Sequence, residues 1–479
     1  MNVKPLVQNS NGPLRGFPAV LKNKRRRWVS MNSGTPIAYR SSTDYTITSQ
    51  YIMQYIGCEL VNRKVYNIQP VWMNVWQANT GGVGLTTDAE NTTGLSQLTI
   101  DYAYEIPKAN LRTASSFLFD YGSQTVATTA NVNMGGGTGC DGSPGKVIVP
   151  VGGIAYGGVL QARACTFNAG ASSTFANRWN FFLRQHLATD GTNQIPSSYQ
   201  PYSWGAGSCN RQQASATTLV ASVAGTGRFS ASQNSDLNIG AGGWSYQPAG
   251  YIGEVDDSTD SEPYICIGVI GNSIMRGVTD VRGTDPQTST TTAWGVSPRD
   301  AGSWKDYGWM EHWARSVGNI HGVFNLGCSS LSMVAVLQSA SRRDAYLEML
   351  SHCDAVVIDY SANDYVIGQS LAQMQASVTT LVNELKAIGV YTIVCAGFPY
   401  GTSSSGVLRQ YNDWAAVQSN TGADAVFNPL SAVGDNNTTW WQWKSGMSGD
   451  NVHPNTTGTN AIYAAWGTFF NSIKSNILR

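Results

Sequence analysis

The stretch YICIGVIGNSIMRGVTD, Tyr264 to Asp280, decides how the second half of this chain folds. Cys266 to Ile270 form a short apolar run with β-branched residues, Gly271-Asn272-Ser273 interrupts it, and Ile274, Met275 and Val278 resume at helical spacing. The pattern predicts a strand, a tight turn and a helix. Such a turn holds Ser273 at the carboxyl end of a strand, where open α/β sheets keep their ligands, with its hydroxyl near a helix amino terminus. Alone, a Gly-Asn-Ser turn is also what an ordinary helix cap looks like.

Downstream the same alternation continues. Apolar strand candidates at 265–270, 321–326, 354–360, 390–396 and 423–427 are interleaved with helical patterns at 304–317, 330–350, 370–388, 405–419 and 457–475. In the third of these helices Leu371, Met374, Val378, Leu381, Leu385 and Ile388 keep three-to-four spacing. This predicts an α/β unit over 263–479, a doubly wound parallel sheet between helical layers. A Thr-rich loop from Thr279 to Gly302 and a Trp-rich stretch from Trp440 to Trp443 read as insertions.

Upstream the character differs. From Tyr45 to Val255 the signals are those of strands: Leu98 to Ile106 alternates, Lys146 to Val151 is β-branched, and Val159–Phe167, Ser215–Val223 and Gly243–Tyr251 are similar, with Gly-rich turns between them. Many short strands predict an all-β accessory domain over 45–255, a sandwich or jelly roll. The glycines near Gly137 do not join a strand to a helix, which excludes a dinucleotide loop. Residues 1–44 read as an irregular arm whose basic run, Lys22 to Arg27, is either solvated or docks the chain into a larger assembly. The acidic cluster Glu254 to Glu262 reads as a solvated linker, since no glycine stands where a calcium loop needs one.

Composition narrows the partners. At 479 residues two or three domains are expected. Lys plus Arg and Asp plus Glu both total 30, so no bulk field favours nucleic acid or an anionic membrane. Charged residues are 13% of the chain, against about 25% in typical soluble proteins, and with the abundant Gly, Ser, Thr and Asn this suits an extracellular or virion surface. No run of about 18 apolar residues offers a membrane span, and MNVKPLVQNSNGPLRGF lacks a signal peptide's apolar core, so export after signal removal or by lysis is expected. The eight cysteines lack zinc spacing. Cys266, Cys353 and Cys395 are expected as buried thiols, and Cys140, Cys165 and Cys209 are candidates for a disulfide.

Three further segments change the meaning of Ser273. Asn325-Leu326-Gly327 closes a second apolar run, Ser361-Ala362-Asn363-Asp364 closes a third, and Asp450-Asn451-Val452-His453-Pro454 precedes the last helix. With Gly271-Asn272-Ser273 they resemble the four sequence blocks of the SGNH (GDSL-like) hydrolases, over about Pro263 to Arg479. The resemblance implies a flavodoxin-like three-layer α/β/α domain and a serine esterase without metal or cofactor. It makes Ser273 the nucleophile, His453 the general base and then acid, and Asp450 the group that orients the imidazole. The oxyanion hole it implies combines the N–H of Ser273, the N–H of Gly327 and the side-chain amide of Asn363. Two departures stand out: Asn272 where the family usually has Asp, and Ser361 where Gly is usual. The other histidines, His186, His312, His321 and His352, are expected at the surface or at helix ends.

Acyl transfer to water leaves the substrate open. Trp304, Trp309, Tyr365, Tyr400, Trp440 and Trp441 lie near the expected cleft and are the candidate substrate contacts, as rings that can stack on sugars; these and Trp443 would equally suit a core. With a β-rich partner, few charges and no apolar lid, the expected substrate is an acetylated polysaccharide, and the reaction its O-deacetylation. A lipid or acyl-thioester hydrolase and a non-catalytic glycan-binding surface or phage-tail protein are the alternatives.

Overall fold

The computed structural model describes residues 260–277, 309–318, 320–328, 331–401, 406–436 and 441–478 of the C-terminal part. Before these it describes 26–30, 51–58, 63–75, 95, 97–105, 119–121, 124–126, 145–157, 181–188, 198–199, 209–213, 244–246 and 248–257. The strand candidates 159–167 and 215–223, the insertion 279–302, Trp304, Trp440, Cys140 and Cys165 lie outside the described residues.

Counting strands from Tyr264 onward, the sheet consists of β1 (Cys266–Gly271), β2 (Gly322–Asn325), β3 (Ala355–Asp359), β4 (Tyr391–Cys395) and β5 (Ala425–Phe427). All pairs are parallel and the order is β2-β1-β3-β4-β5, the flavodoxin-like arrangement. The chain leaves β1 for one neighbour and later returns on its other side, which opens a crevice at the carboxyl end of β1.

The helices are α1 (Ser273–Arg276), α2 (Trp309–Ser316), α3 (Met333–Gln338), α4 (Ala340–Leu350), α5 (Ser361–Val366), α6 (Leu371–Ala387), α7 (Gly406–Ala415), α8 (Gln418–Thr421), α9 (Leu430–Val433) and α10 (Thr456–Ile477). All but the short α5 and α9 fall in the expected helical patterns, and the pattern at 405–419 divides into α7 and α8. The single helical pattern at 330–350 is two helices, because Ser339 takes extended backbone and caps α4 through the Arg342 N–H. A capping box of Ser370 and Gln373 starts α6, whose Met374, Val378, Leu381 and Leu385 are buried.

Strand alternation divides the apolar residues between two layers. Ile267 and Val269, Val357, Ile393 and Phe427 pack with Trp309 and Trp313 of α2 and with Ile462, Trp466 and Phe470 of α10. Cys266 and Ile270, Phe324, Val356, Ile358 and Val394 face α3, α4, α6 and α7. Burying a large apolar side chain stabilises by roughly 1.5–3 kcal/mol, so this aromatic packing rather than helix propensity holds α10 in place. Cys266, Cys328, Cys353 and Cys395 are buried free thiols.

The described N-terminal strands are antiparallel. One sheet runs 26–30, 250–256, 64–73, 154–156, and another 209–213, 51–58, 181–188, 98–105, 145–149. The arm read as irregular therefore contains a strand: Arg26–Ser30 pairs with 252–256, and its RRWVS sequence carries only a weak alternation. Val71, Trp72, Leu98, Tyr246 and Ile252 share one buried apolar cluster with Tyr264, Phe324 and Leu350, so the β-rich part and the α/β sheet are packed together.

Polar ties reinforce that junction and correct two expectations. The acidic cluster is not a solvated linker: Asp260 pairs with the buried Arg63 at 2.7 Å, Asp257 accepts the Tyr264 N–H, and Glu262 pairs with Lys474. His321 is not a surface residue: it stacks on Trp313, meets the edge of Phe470 and accepts the Ile265 N–H at Nδ1. Burial, opposed by Glu262, pushes its pKa down to about 4. His352 does lie just past the end of α4, where it contacts the Tyr156 hydroxyl; His312 is inside α2. Only the backbone of His186, in the strand 181–188, is described.

Candidate active site

Three of the four sequence blocks emerge side by side at the carboxyl edge of the sheet, because β2, β1 and β3 are neighbours. After β1 the chain turns at once into α1. Asn272 caps it, its Oδ1 accepting the N–H groups of Ile274 at 2.9 Å and Met275 at 3.4 Å, and Gly277 closes it at φ +100°. Ser273 is thereby the first residue of a helix and remains half-buried while its neighbours are buried.

The fourth block arrives from the far end of the chain. The Gly401 N–H donates to the Asn451 carbonyl at 2.6 Å, and Asn455 caps α10 through the Gly458 N–H. Asn451, at φ +60°, is the only non-glycine residue with positive φ among the described residues. Held this way, His453 Nε2 lies 2.9 Å from Ser273 Oγ and His453 Nδ1 lies 2.8 Å from Asp450 Oδ2. Asp450 Oδ1 accepts the N–H groups of Val452 at 2.8 Å and His453 at 2.7 Å. Burial would raise the Asp450 carboxyl, but the hydrogen bonds from His453 and Val452 outweigh it and hold the pKa below the ordinary value. An ionised Asp450 accepts the Nδ1 proton, leaving the Nε2 lone pair for the serine hydroxyl.

The oxyanion candidates are placed less simply. Among the described residues no hydrogen bond engages the Ser273 N–H, as the first turn of a helix leads one to expect. Asn363 Nδ2 donates one proton to the Leu331 carbonyl at 2.8 Å and has a second to give. The Gly327 N–H, expected as a free donor, instead donates to Asn325 Oδ1 at 2.7 Å. Asn325 is fully buried and also donates to Glu311 and to the Met275 carbonyl, so it joins α1, α2 and the Gly327 loop. A Cβ on Gly327 would lie 2.7 Å from the Arg276 nitrogen, so this loop must be glycine to approach α1.

Two buried carboxyls at this edge were not singled out from sequence. Asp359, at the end of β3, is pushed up to about 6 by burial, opposed by hydrogen bonds from Ser361 and Asn272. Asp364 in α5 accepts the Met333 and Val334 N–H groups and is pushed up to about 7, again by burial. For Asp359 the available signal was an acid ending an otherwise apolar strand.

The aromatic candidates divide. Trp309 and Trp443 are core residues: Trp309 is 1% exposed and packs on Phe398, Phe427 and Trp466, which corrects its reading as a substrate contact. Tyr365 and Tyr400 are half-buried with ring centroids 6.3 Å apart. Burial, Tyr365 and the Asp450 carboxylate all raise the Tyr400 phenol, so this pair borders the Asp-His loop. Trp441, half-buried in a hairpin of Gly434–Asn436 with Trp441–Trp443, donates to Asp413 at 2.9 Å under the Arg409 guanidinium. No group of metal-binding side chains occurs among the described residues, and no described helix is long and apolar enough to cross a membrane.

Residues 269–461 match the GDSL-like Lipase/Acylhydrolase family, the part of the chain that the four blocks span. No curated protein matches the chain. Among solved structures it is similar to the psychrotrophic esterase EstA from Pseudoalteromonas sp., with 18% identity, 45% of this chain and 99% of that one covered, and a TM-score of 0.31. It is also similar to a carbohydrate esterase family 3 from Talaromyces cellulolyticus, with 14% identity, coverages of 44% and 99% and a TM-score of 0.31. A Clostridium thermocellum family 3 carbohydrate esterase gives 15%, 45% and 100%, and 0.31.

Proposed function

We propose that the GDSL-like lipase/acylhydrolase domain in the C-terminal part of this chain hydrolyses carboxylic esters with Ser273, His453 and Asp450, and that its substrate is an O-acetylated polysaccharide. The observation that carries the reading is the unbroken hydrogen-bonded run from Ser273 Oγ through the imidazole to Asp450.

In this scheme Ser273 Oγ attacks the ester carbonyl carbon while its proton passes to His453 Nε2. The Ser273 N–H and the second Asn363 amide proton receive the developing oxyanion, and Gly327 can join them only by sharing or releasing its bond to Asn325. Collapse breaks the bond to the alcohol, which leaves with the imidazolium proton and yields acyl-Ser273. Water then gives its proton to His453 as it attacks the acyl carbon, and collapse breaks the bond to Ser273 Oγ, which takes the proton back from the imidazolium as the acid leaves. An imidazolium cannot take the serine proton, so the attack requires the neutral imidazole.

The polysaccharide assignment rests on the half-buried Tyr365 and Tyr400 beside the Asp-His loop, rings with an apolar body and a polar tip, and on the low charge of the chain. We read the antiparallel N-terminal strands as a jelly-roll-like accessory unit. The test compares wild type and Ser273→Ala on p-nitrophenyl acetate, on longer-chain esters and on acetylated glycan with acetate release measured. Short-chain and glycan activity that disappears in the variant is expected. A long-chain optimum moves the substrate to lipid or acyl-thioester, and turnover unchanged by the substitution removes Ser273 from the reaction.

A further inference from the structure

We propose that Asp359 is a positioning residue that ties the nucleophile turn to the oxyanion turn, with Asn272 as its dedicated partner; this rests on the reading of Ser273 as nucleophile. The two strands that end at these turns are adjacent and in register, Gly271 opposite Asp359. The Asn272 N–H donates to the Asp359 carbonyl at 3.0 Å, so the backbones are already joined where the strands end. Side chains extend the join in both directions. Asp359 Oδ1 accepts the Ser361 N–H at 2.8 Å, at the start of the helix that carries Asn363. Its Oδ2 faces Asn272 Nδ2 at 3.5 Å, and Asn272 Oδ1 caps the helix that begins with Ser273. A run of polar contacts thus passes from Ser361 through Asp359 and Asn272 to the Ile274 and Met275 N–H groups, with Asn272 and Asp359 only 1% and 2% exposed.

This run fixes what position 272 must be. It has to donate to Asp359 and accept from α1 at one side-chain length, which an amide does and an ionised carboxylate does not. An aspartate there would set a second carboxylate against Asp359 with no described cation between them, a costly arrangement in a buried site. The departure from the family's usual aspartate is therefore matched by the acid at the end of β3. Moving the two turns apart would misplace Ser273 against the Asn363 amide, an error that acts on the acyl-transfer step rather than on substrate capture.

Four proteins test it on p-nitrophenyl acetate, with circular dichroism and thermal melting reporting folding: wild type, Asn272→Asp, Asp359→Asn and the double exchange. Each single change puts like groups face to face, and kcat is expected to fall by about 10–100-fold with KM within about twofold. The exchange restores the pattern with roles reversed: residue 359 accepts from Ser361 and donates to residue 272, which caps α1. Its kcat is expected within about tenfold of wild type and above the product of the single effects. An additive cycle overturns the proposal, as does an exchange protein that does not fold or is slower than about tenfold. Should a single variant not fold, the exchange protein decides by the same limit. Ser273→Ala is run alongside: if it keeps wild-type turnover, the nucleophile reading fails, whereas loss of turnover with an additive cycle overturns only the role of Asp359.

Discussion

Replacing Asp450 by asparagine should disable the site by reversing a tautomer while leaving the fold in place. The carboxylate has two separate tasks: Oδ1 accepts two backbone N–H groups at 2.8 and 2.7 Å, and Oδ2 holds His453 Nδ1 at 2.8 Å. An amide has one oxygen. Keeping it where two backbone donors converge retains two bonds, and turning it toward the ring retains one, a difference of about 1 kcal/mol in favour of the first. The amide nitrogen then faces Nδ1, which must accept, so the ring proton moves to Nε2. That nitrogen lies 2.9 Å from Ser273 Oγ and can no longer take its proton. For a triad disabled in this way the loss in kcat is on the order of 10⁴-fold, about 5 kcal/mol of transition-state stabilisation. The assay is kcat and KM on p-nitrophenyl acetate near pH 8, with far-UV circular dichroism to establish folding. A folded Asp450→Asn protein whose kcat stays within about tenfold of wild type would refute the assignment of Asp450 as the orienting group.

Other outcomes follow from the same geometry. Gly327→Ala brings a Cβ to 2.7 Å from the Arg276 nitrogen; moving it out to ordinary contact displaces the loop by roughly 0.7 Å, and kcat should fall by about 10²-fold, measured against an unchanged far-UV spectrum. Asp364→Asn tests a pH dependence of stability. With its pKa raised to about 7, native Asp364 keeps a proton that the unfolded chain loses near pH 4, so wild-type stability is penalised progressively as pH rises from about 4 to about 7. Asparagine removes the titration, so the variant's stability relative to wild type should grow across that window by on the order of 4 kcal/mol, read from urea melts at several pH values. His321 acts in the opposite sense: its pKa of about 4 means that stability falls as pH drops from about 6.5 toward 4. His321→Gln should flatten the acid limb of the wild-type profile, and an unchanged limb would remove His321 as its source.

How much of this was legible follows from the range of each signal. The five strands and the longer helices were readable because period-two and period-3.6 burial are local properties, visible in runs such as Cys266–Ile270 and Leu371–Ile388. Ser273 was readable as the residue between a strand and a helix. Asp450 and His453 were readable only through the resemblance of the Asp450–Pro454 block to the SGNH hydrolases; their spacing then lets the two side chains close a local hydrogen-bonded pair. Trp309 was misread because an aromatic residue near a cleft and one in a core have the same sequence signature. His321 was misread because nothing local announces that Trp313 and Phe470 will enclose it.

By itself the sequence determined the alternation of strand and helix after Tyr264, the capped turn at Asn272, and the residue types available for acyl transfer. Tertiary structure alone decided that a hydroxyl and an imidazole 180 positions apart meet at 2.9 Å, that the Gly327 N–H turns to Asn325, and that Asp359 lies against Asn272. The physical reason is that caps and periodicity are set within a few residues of chain. These other contacts depend on which strands become neighbours, and strand order β2-β1-β3 is fixed only when both faces of the sheet are buried at once.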